Sequence, residues 1–103
     1  MEGEGSVNDT KSLIMGLDED FKAAADSATS DLPESMSNDD KLAMYGLYKQ
    51  ATVGDVNSAC PNIFDQKGRA KWFAWEKCKG QSQDDAKTAY IALIASLKAK
   101  YGV

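Results

Sequence analysis

The helix start and stop signals of this chain come in an order that leaves room for little except helices. Asp18, Glu19 and Asp20 put acids where a helix N-terminus favours them, and Leu32-Pro33 closes the stretch that follows. The residue before a proline is driven out of the α region, which makes it a natural stop. Ser37 with Asp40 is close to a capping box, and so is Ser82 with Asp85. In each, the serine oxygen is placed to accept from an N–H that the first turn leaves unpaired. Gly54, Gly80 and Gly102 fall where the segments between should end, and glycine takes the left-handed conformation past a helix C-terminus most easily. These marks predict four helices, about 19–31, 38–53, 68–79 and 82–101, with no strand alternation and no internal repeat. The expected fold class is all-α, a four-helix bundle.

Side-chain spacing supports the same division. Phe21, Ala24, Ala25 and Ala28 share one face of the first helix, and their small side chains make that face flat. The second helix has two stripes. Ala43, Leu47, Gln50 and Ala51 are expected to pack inward, and Leu42, Tyr45, Tyr48, Lys49 and Thr52 to face something else. Trp72 and Trp75 anchor the third helix, and Ala86, Ala89, Tyr90, Leu93, Ile94 and Leu97 give the fourth a continuous seam. Residues 54–66 form a connection with few helix signals, and a loop of that length in a small domain is often functional.

At 103 residues the chain is sized for one domain, expected over 18–103, with 1–17 a glycine- and acid-rich extension expected to lack stable structure. No apolar run approaches the roughly 20 residues that span a bilayer. The first residues, MEGEGSVND, lack the basic start and apolar core of a secretory signal, so a cytoplasmic protein is the default. The two cysteines, Cys60 and Cys78, have no histidine to join them in a metal set or a nucleophilic pair, and are expected to be free thiols. The net charge of −4 conceals an asymmetry: −9 over residues 1–40 and +5 over residues 41–103. An acidic chain is a poor candidate for nucleic acid. Its basic part is still suited to a compact anion.

Enzyme chemistry finds little purchase here. There is no histidine, no glycine-rich phosphate loop and no serine in a nucleophile elbow. The acid pairs Asp39-Asp40 and Asp84-Asp85 sit at helix starts, and neighbours on a helix do not face one another. The group that asks for a ligand is Tyr45, Tyr48 and Lys49, which share a helical face, together with Lys67 and Lys71, four apart, and Tyr90. Lysine is a good point-charge partner for phosphate, and a phenol can stack on a ring or hydrogen-bond a ribose or phosphate. From the residues alone this is a helical module that binds an aromatic, phosphorylated small molecule. The competing class is an interaction module that docks a protein or membrane through its lysine and tryptophan surface.

YGLYKQATVGDVN at 45–57, FDQKGRAKW at 64–72, Trp75 and the Ala89-Tyr90 pair closely resemble the acyl-CoA-binding protein family, over about residues 19–103. The resemblance implies a bundle with up-down-down-up helix order. It implies a non-catalytic carrier that binds medium- and long-chain fatty acyl-CoA esters one to one, buffering and transporting them, with no cofactor and no metal. It implies a cytoplasmic monomer making transient contact with membranes or acyl-CoA-using enzymes. Carried over by position, it makes Tyr45, Tyr48, Lys49, Lys67, Lys71 and Tyr90 contacts to the CoA headgroup, with Tyr48 on the adenine and Lys49 and Lys71 on the 3′-phosphate. Phe21, Ala24, Ala25 and Leu42 would line the acyl chain, and Trp72 and Trp75 would be chiefly structural. Phe73 stands where the family usually has Asp, and Ser27-Ala28-Thr29-Ser30 where many members carry a ligand-contacting lysine.

Overall fold

The computed structural model describes the backbone of residues 2–103 and the side chains of residues 16–103. Four helices make up its regular structure: α1, Glu2–Asp31; α2, Asn38–Thr52; α3, Gln66–Glu76; and α4, Gln83–Tyr101. The side chains of the expected extension, 1–17, lie outside the described residues apart from its last two. Gly16 and Leu17 are already helical, so the acidic triplet 18–20 lies inside α1 rather than capping it. Asp18 instead receives the Lys87 ammonium of α4 at 2.6 Å.

The other boundaries follow their capping chemistry. Ser37 accepts from the Asp40 N–H and Ser82 from the Asp85 N–H, as the spacing predicts. Gly54 and Gly102 take positive φ past α2 and α4. At α3 the sequence reading is displaced at both ends. Asp65, not recognised as a cap, accepts from the Gly68 N–H and starts the helix at Gln66. The far end tightens into turns, with Cys78 N–H bonded to Trp75 O and Lys79 N–H to Glu76 O, so regular helix stops at Glu76 rather than Lys79.

Cross-helix contacts set the order. Asp18–Lys87 and Asp31–Lys98 pair successive positions of α1 with successive positions of α4, so the two run the same way. Asp40 at the start of α2 meets Lys100 at the end of α4, so those two are antiparallel. Lys71 over Tyr45 and Lys49 over Trp75 set α3 parallel to α2. The result is up-down-down-up. Among the described residues α4 and α2 form the middle of the bundle, α4 touching α1 and α2, while α3 packs on α2 alone.

The core is Phe21, Ala28, Leu32, Met36, Ala51, Ala86, Tyr90, Ile94 and Leu97, with Met44 and Leu47 packed against it. Of the stripe expected to face inward from α2, Gln50 and Ala51 are fully buried and Leu47 half-buried, but Ala43 is exposed. Gly46 takes the inward position instead, because α3 comes so close there that a Cβ would strike the Ala74 carbonyl.

With one helix as neighbour, α3 is fastened by its connections. Trp75 donates to Gly54 O at 2.7 Å, Trp72 to Ser58 O at 2.8 Å and Arg69 to Pro61 O at 3.1 Å. Gln50, at 0% exposure, donates to the Asp55 carboxylate at 2.8 Å and to Gln81 O at 2.7 Å. Asp55 also accepts from the Gly80 N–H, and that bond, then Gln50, holds its carboxyl below the usual Asp value. The long connection is thus built into the fold at both ends rather than draped over it.

Candidate functional site

Three side chains from three helices meet at the wall of a cleft. Phe21 of α1 stacks on Tyr48 of α2 with ring centres 5.7 Å apart, and Tyr90 of α4 lies 5.1 Å from Phe21 and 6.0 Å from Tyr48. Phe21 and Tyr90 are core residues, and Tyr48 is 41% exposed. The cluster therefore fixes Tyr48 from behind and leaves part of its ring to the outside. An aromatic held in this way gives up little conformational entropy when something stacks on it. Burial, and then the neighbouring Tyr48, push the Tyr90 phenol above its ordinary value, so it remains a neutral donor across the physiological range.

The cleft beside Tyr48 has a volume of about 380 Å³ and is bordered by Ala25, Asp26 and Thr29 of α1, by Lys41, Met44, Tyr45 and Tyr48 of α2, and by Tyr90. A second cleft of about 420 Å³ opens between α2 and α3, bordered by Lys41, Leu42, Lys67 and Lys71 among others. Lys41 belongs to both, and Tyr45 joins them through Lys71, whose ammonium lies 5.5 Å from its ring centre. The α2–α3 seam opens further into an apolar cleft of about 640 Å³ bordered by Leu42, Leu47, Ala70, Phe73 and Ala74. Leu42 therefore faces both charged and apolar space.

Lys41, Lys49, Lys67 and Lys71 have no carboxylate partner among the described residues, in contrast to Lys87, Lys98 and Lys100. Three of them, Lys41, Lys67 and Lys71, are gathered at the two joined clefts, where like charges repel one another. A bound anion relieves that repulsion.

The positions singled out in the sequence are brought together unevenly. Tyr45, Tyr48, Tyr90 and Ala25 border the first cleft, and Lys67, Lys71 and Leu42 the second. Phe21 and Ala24 pack beneath in the core layer rather than at either cleft. Lys49 borders neither, its ammonium resting 4.9 Å from the Trp75 ring centre. Lys41 is the residue that sequence reasoning missed. It is four before Tyr45 and seven before Tyr48, so the helical spacing that selected the tyrosines would have selected it too. Trp75 is buried and hydrogen-bonded, and Trp72 is partly covered, both serving to seat α3.

This fold and this site define a class of small helical ligand-binding proteins, and comparison with known proteins places the chain within it. The family model described as acyl CoA binding protein matches residues 18–94. Acyl-CoA-binding domain-containing protein 1 of Oryza sativa subsp. japonica is 55% identical over 83 residues, covering 81% of this chain and 90% of the relative. The acyl-CoA-binding protein of Saccharomyces cerevisiae is 54% identical over 74 residues, covering 72% of this chain and 85% of its own. A crystal structure of Oryza sativa acyl-CoA-binding protein 2 superimposes with a TM-score of 0.82 at 45% identity, over 86% of this chain and 96% of that one. The chain belongs to the acyl-CoA-binding protein family.

Proposed function

We propose that this protein is a non-catalytic carrier that binds medium- and long-chain fatty acyl-CoA esters one to one. The observation that carries the reading is the joining, through Lys41 and the Lys71–Tyr45 contact, of a tyrosine-walled cleft to a lysine-lined one. A CoA thioester has an aromatic base, several phosphates and an apolar tail, and the three kinds of surface here answer those three parts. Tyr48, and Tyr45 beside it, offer faces to the adenine. Lys49, Lys67 and Lys71, joined by Lys41 at the border of both clefts, take the phosphates, Lys49 by leaving its place over Trp75. Ala25 and Leu42 border the apolar tail, with Phe21 and Ala24 the layer beneath.

Magnitudes support a division of labour. A charge-assisted hydrogen bond contributes about 1.5–3 kcal/mol, so two or three do little more than offset the roughly 4–15 kcal/mol that association costs. Each buried methylene adds about 0.8 kcal/mol. The ester is bound tightly because neither half suffices. Two unpaired thiols, Cys60 and Cys78, fit a reducing cytoplasm. Burial holds the Cys78 thiol protonated, above its ordinary value.

Native mass spectrometry of freshly purified protein tests the reading. The expected spectrum has one added mass per chain corresponding to an acyl-CoA, removed on denaturation. Failure to take up a long-chain acyl-CoA added in excess would refute it.

A further inference from the structure

We propose that the tip of the α2–α3 connection is a membrane-docking finger, in which Ile63 and Phe64 enter the interface of an anionic bilayer while Lys67 and Lys71 meet its headgroups. Phe64 is 90% exposed and Ile63 68%, the most exposed large apolar side chains among the described residues. The backbone of the turn that carries them is hydrogen-bonded. The Asn62 side chain accepts from the Phe64 N–H at 2.8 Å, and its carbonyl accepts from the Asp65 N–H at 2.8 Å. Asp65 then caps α3, so the turn runs directly into the helix.

Phe64 occupies the position just before that cap, where an apolar residue usually packs on one four residues into the helix. Here that residue is Arg69, which turns to Pro61 O and to the Phe73 ring, 5.5 Å from its centre. Nothing in the described chain covers Phe64. Two apolar side chains at a convex turn do not form a pocket for a shaped partner. They suit a fluid surface that deforms around them.

Charge chooses the surface. Residues 56–80 hold five bases against two acids, a balance of +3, and one of the acids, Asp65, is engaged at the helix cap. Lys67 and Lys71 are exposed, follow Phe64 at helical spacing and have no carboxylate partner among the described residues. An apolar tip with unpaired lysines behind it is complementary to acyl chains beneath anionic headgroups. The same lysines border the second cleft, so docking puts the mouth of that cleft at the bilayer. That use of the contact rests on the acyl-CoA reading.

The test is co-sedimentation of the full, ligand-free chain with phosphatidylcholine vesicles, with and without phosphatidylserine, beside acyl-CoA titration in solution. The wild type is expected to partition onto the anionic vesicles, far less onto the neutral ones, and to be released by salt. The Ile63→Ser/Phe64→Ser variant should lose at least about tenfold in vesicle partitioning while its acyl-CoA affinity in solution is unchanged. Absence of binding to anionic vesicles, equal binding to neutral ones, or equal binding by the variant would each overturn the finger. The solution titration reports separately on the carrier reading.

Discussion

Lys71 holds its ammonium 5.5 Å from the centre of the Tyr45 ring, and this contact is where the two halves of the site are joined. Tyr45 belongs to the cleft between α1, α2 and α4, whereas Lys71 belongs to the helix that, among the described residues, packs on α2 alone. The position of α3 on α2 therefore decides whether the lysines and tyrosines act on one ligand.

Single lysine substitutions should reveal how the headgroup is held. Lys71→Ala and Lys49→Ala are each expected to weaken long-chain acyl-CoA binding by about tenfold or more, the equivalent of one charge-assisted contact. Lys41→Ala should behave likewise, since Lys41 borders both clefts. Calorimetry with a single ester measures all three. None of these three lysines has an acidic partner among the described residues, so thermal stability should stay near that of the wild type. An unchanged affinity for any one variant would remove that lysine from the site.

The seat of α3 can be tested away from the ligand. A methyl group at Gly46 would meet the Ala74 carbonyl, and backbone cannot move aside as a side-chain end can. Gly46→Ala is expected to cost about 1–3 kcal/mol in urea unfolding. It should also weaken ester binding, because displacing α3 moves Lys67 and Lys71. A variant as stable and as tight-binding as the wild type would show that the close approach is not needed.

Much of this arrangement was legible in the sequence, and the parts that were not share a cause. Ser37, Ser82, Gly54 and Gly102 act locally, through bonds to backbone within a few residues, and each does what its position foretold. Tyr45, Tyr48 and Lys71 were found by helical spacing. Spacing alone could not show that Lys49 would rest on Trp75, that Phe21 would lie under Tyr48 rather than open to a cleft, or that Gly46 would displace Ala43 from the inner face. Those outcomes depend on where a second helix comes to rest. Asp65 was missed as a cap because no capping-box acid follows it at the usual distance, only Gly68, whose N–H it accepts.

The pH dependence of stability should have an acid limb with an identifiable contributor. Asp40 takes the Lys100 ammonium at 2.8 Å and the Tyr101 hydroxyl at 2.6 Å, and these two bonds, in that order, hold its carboxyl below the usual 3.8. A depressed carboxyl contributes stability that is fully present above its unfolded-state value and is lost as pH falls through the folded-state value. Asp31, held down chiefly by Ser27 and then Lys98, and Asp55, by Gly80 and then Gln50, act in the same direction. Lys100 is raised by Asp40, so its contribution is present below 10.5 and fades as pH climbs through its folded-state value. Asp40→Asn keeps an acceptor for Tyr101 and removes the charge. Its urea midpoint should fall at neutral pH and change less than that of the wild type as pH drops below about 4. Parallel acid limbs in the two proteins would contradict this assignment.

The central claim is that headgroup and tail must be bound together, and a calorimetric titration with free CoA, a free long-chain fatty acid and acyl-CoA esters of increasing chain length tests it most directly. Free CoA and free fatty acid should each bind weakly. Esters should bind with a stoichiometry of one and tighten with each added methylene, by up to the roughly 0.8 kcal/mol of full burial, until the apolar surface is filled. Free CoA binding as tightly as a long-chain ester, or affinity independent of chain length, would contradict the account.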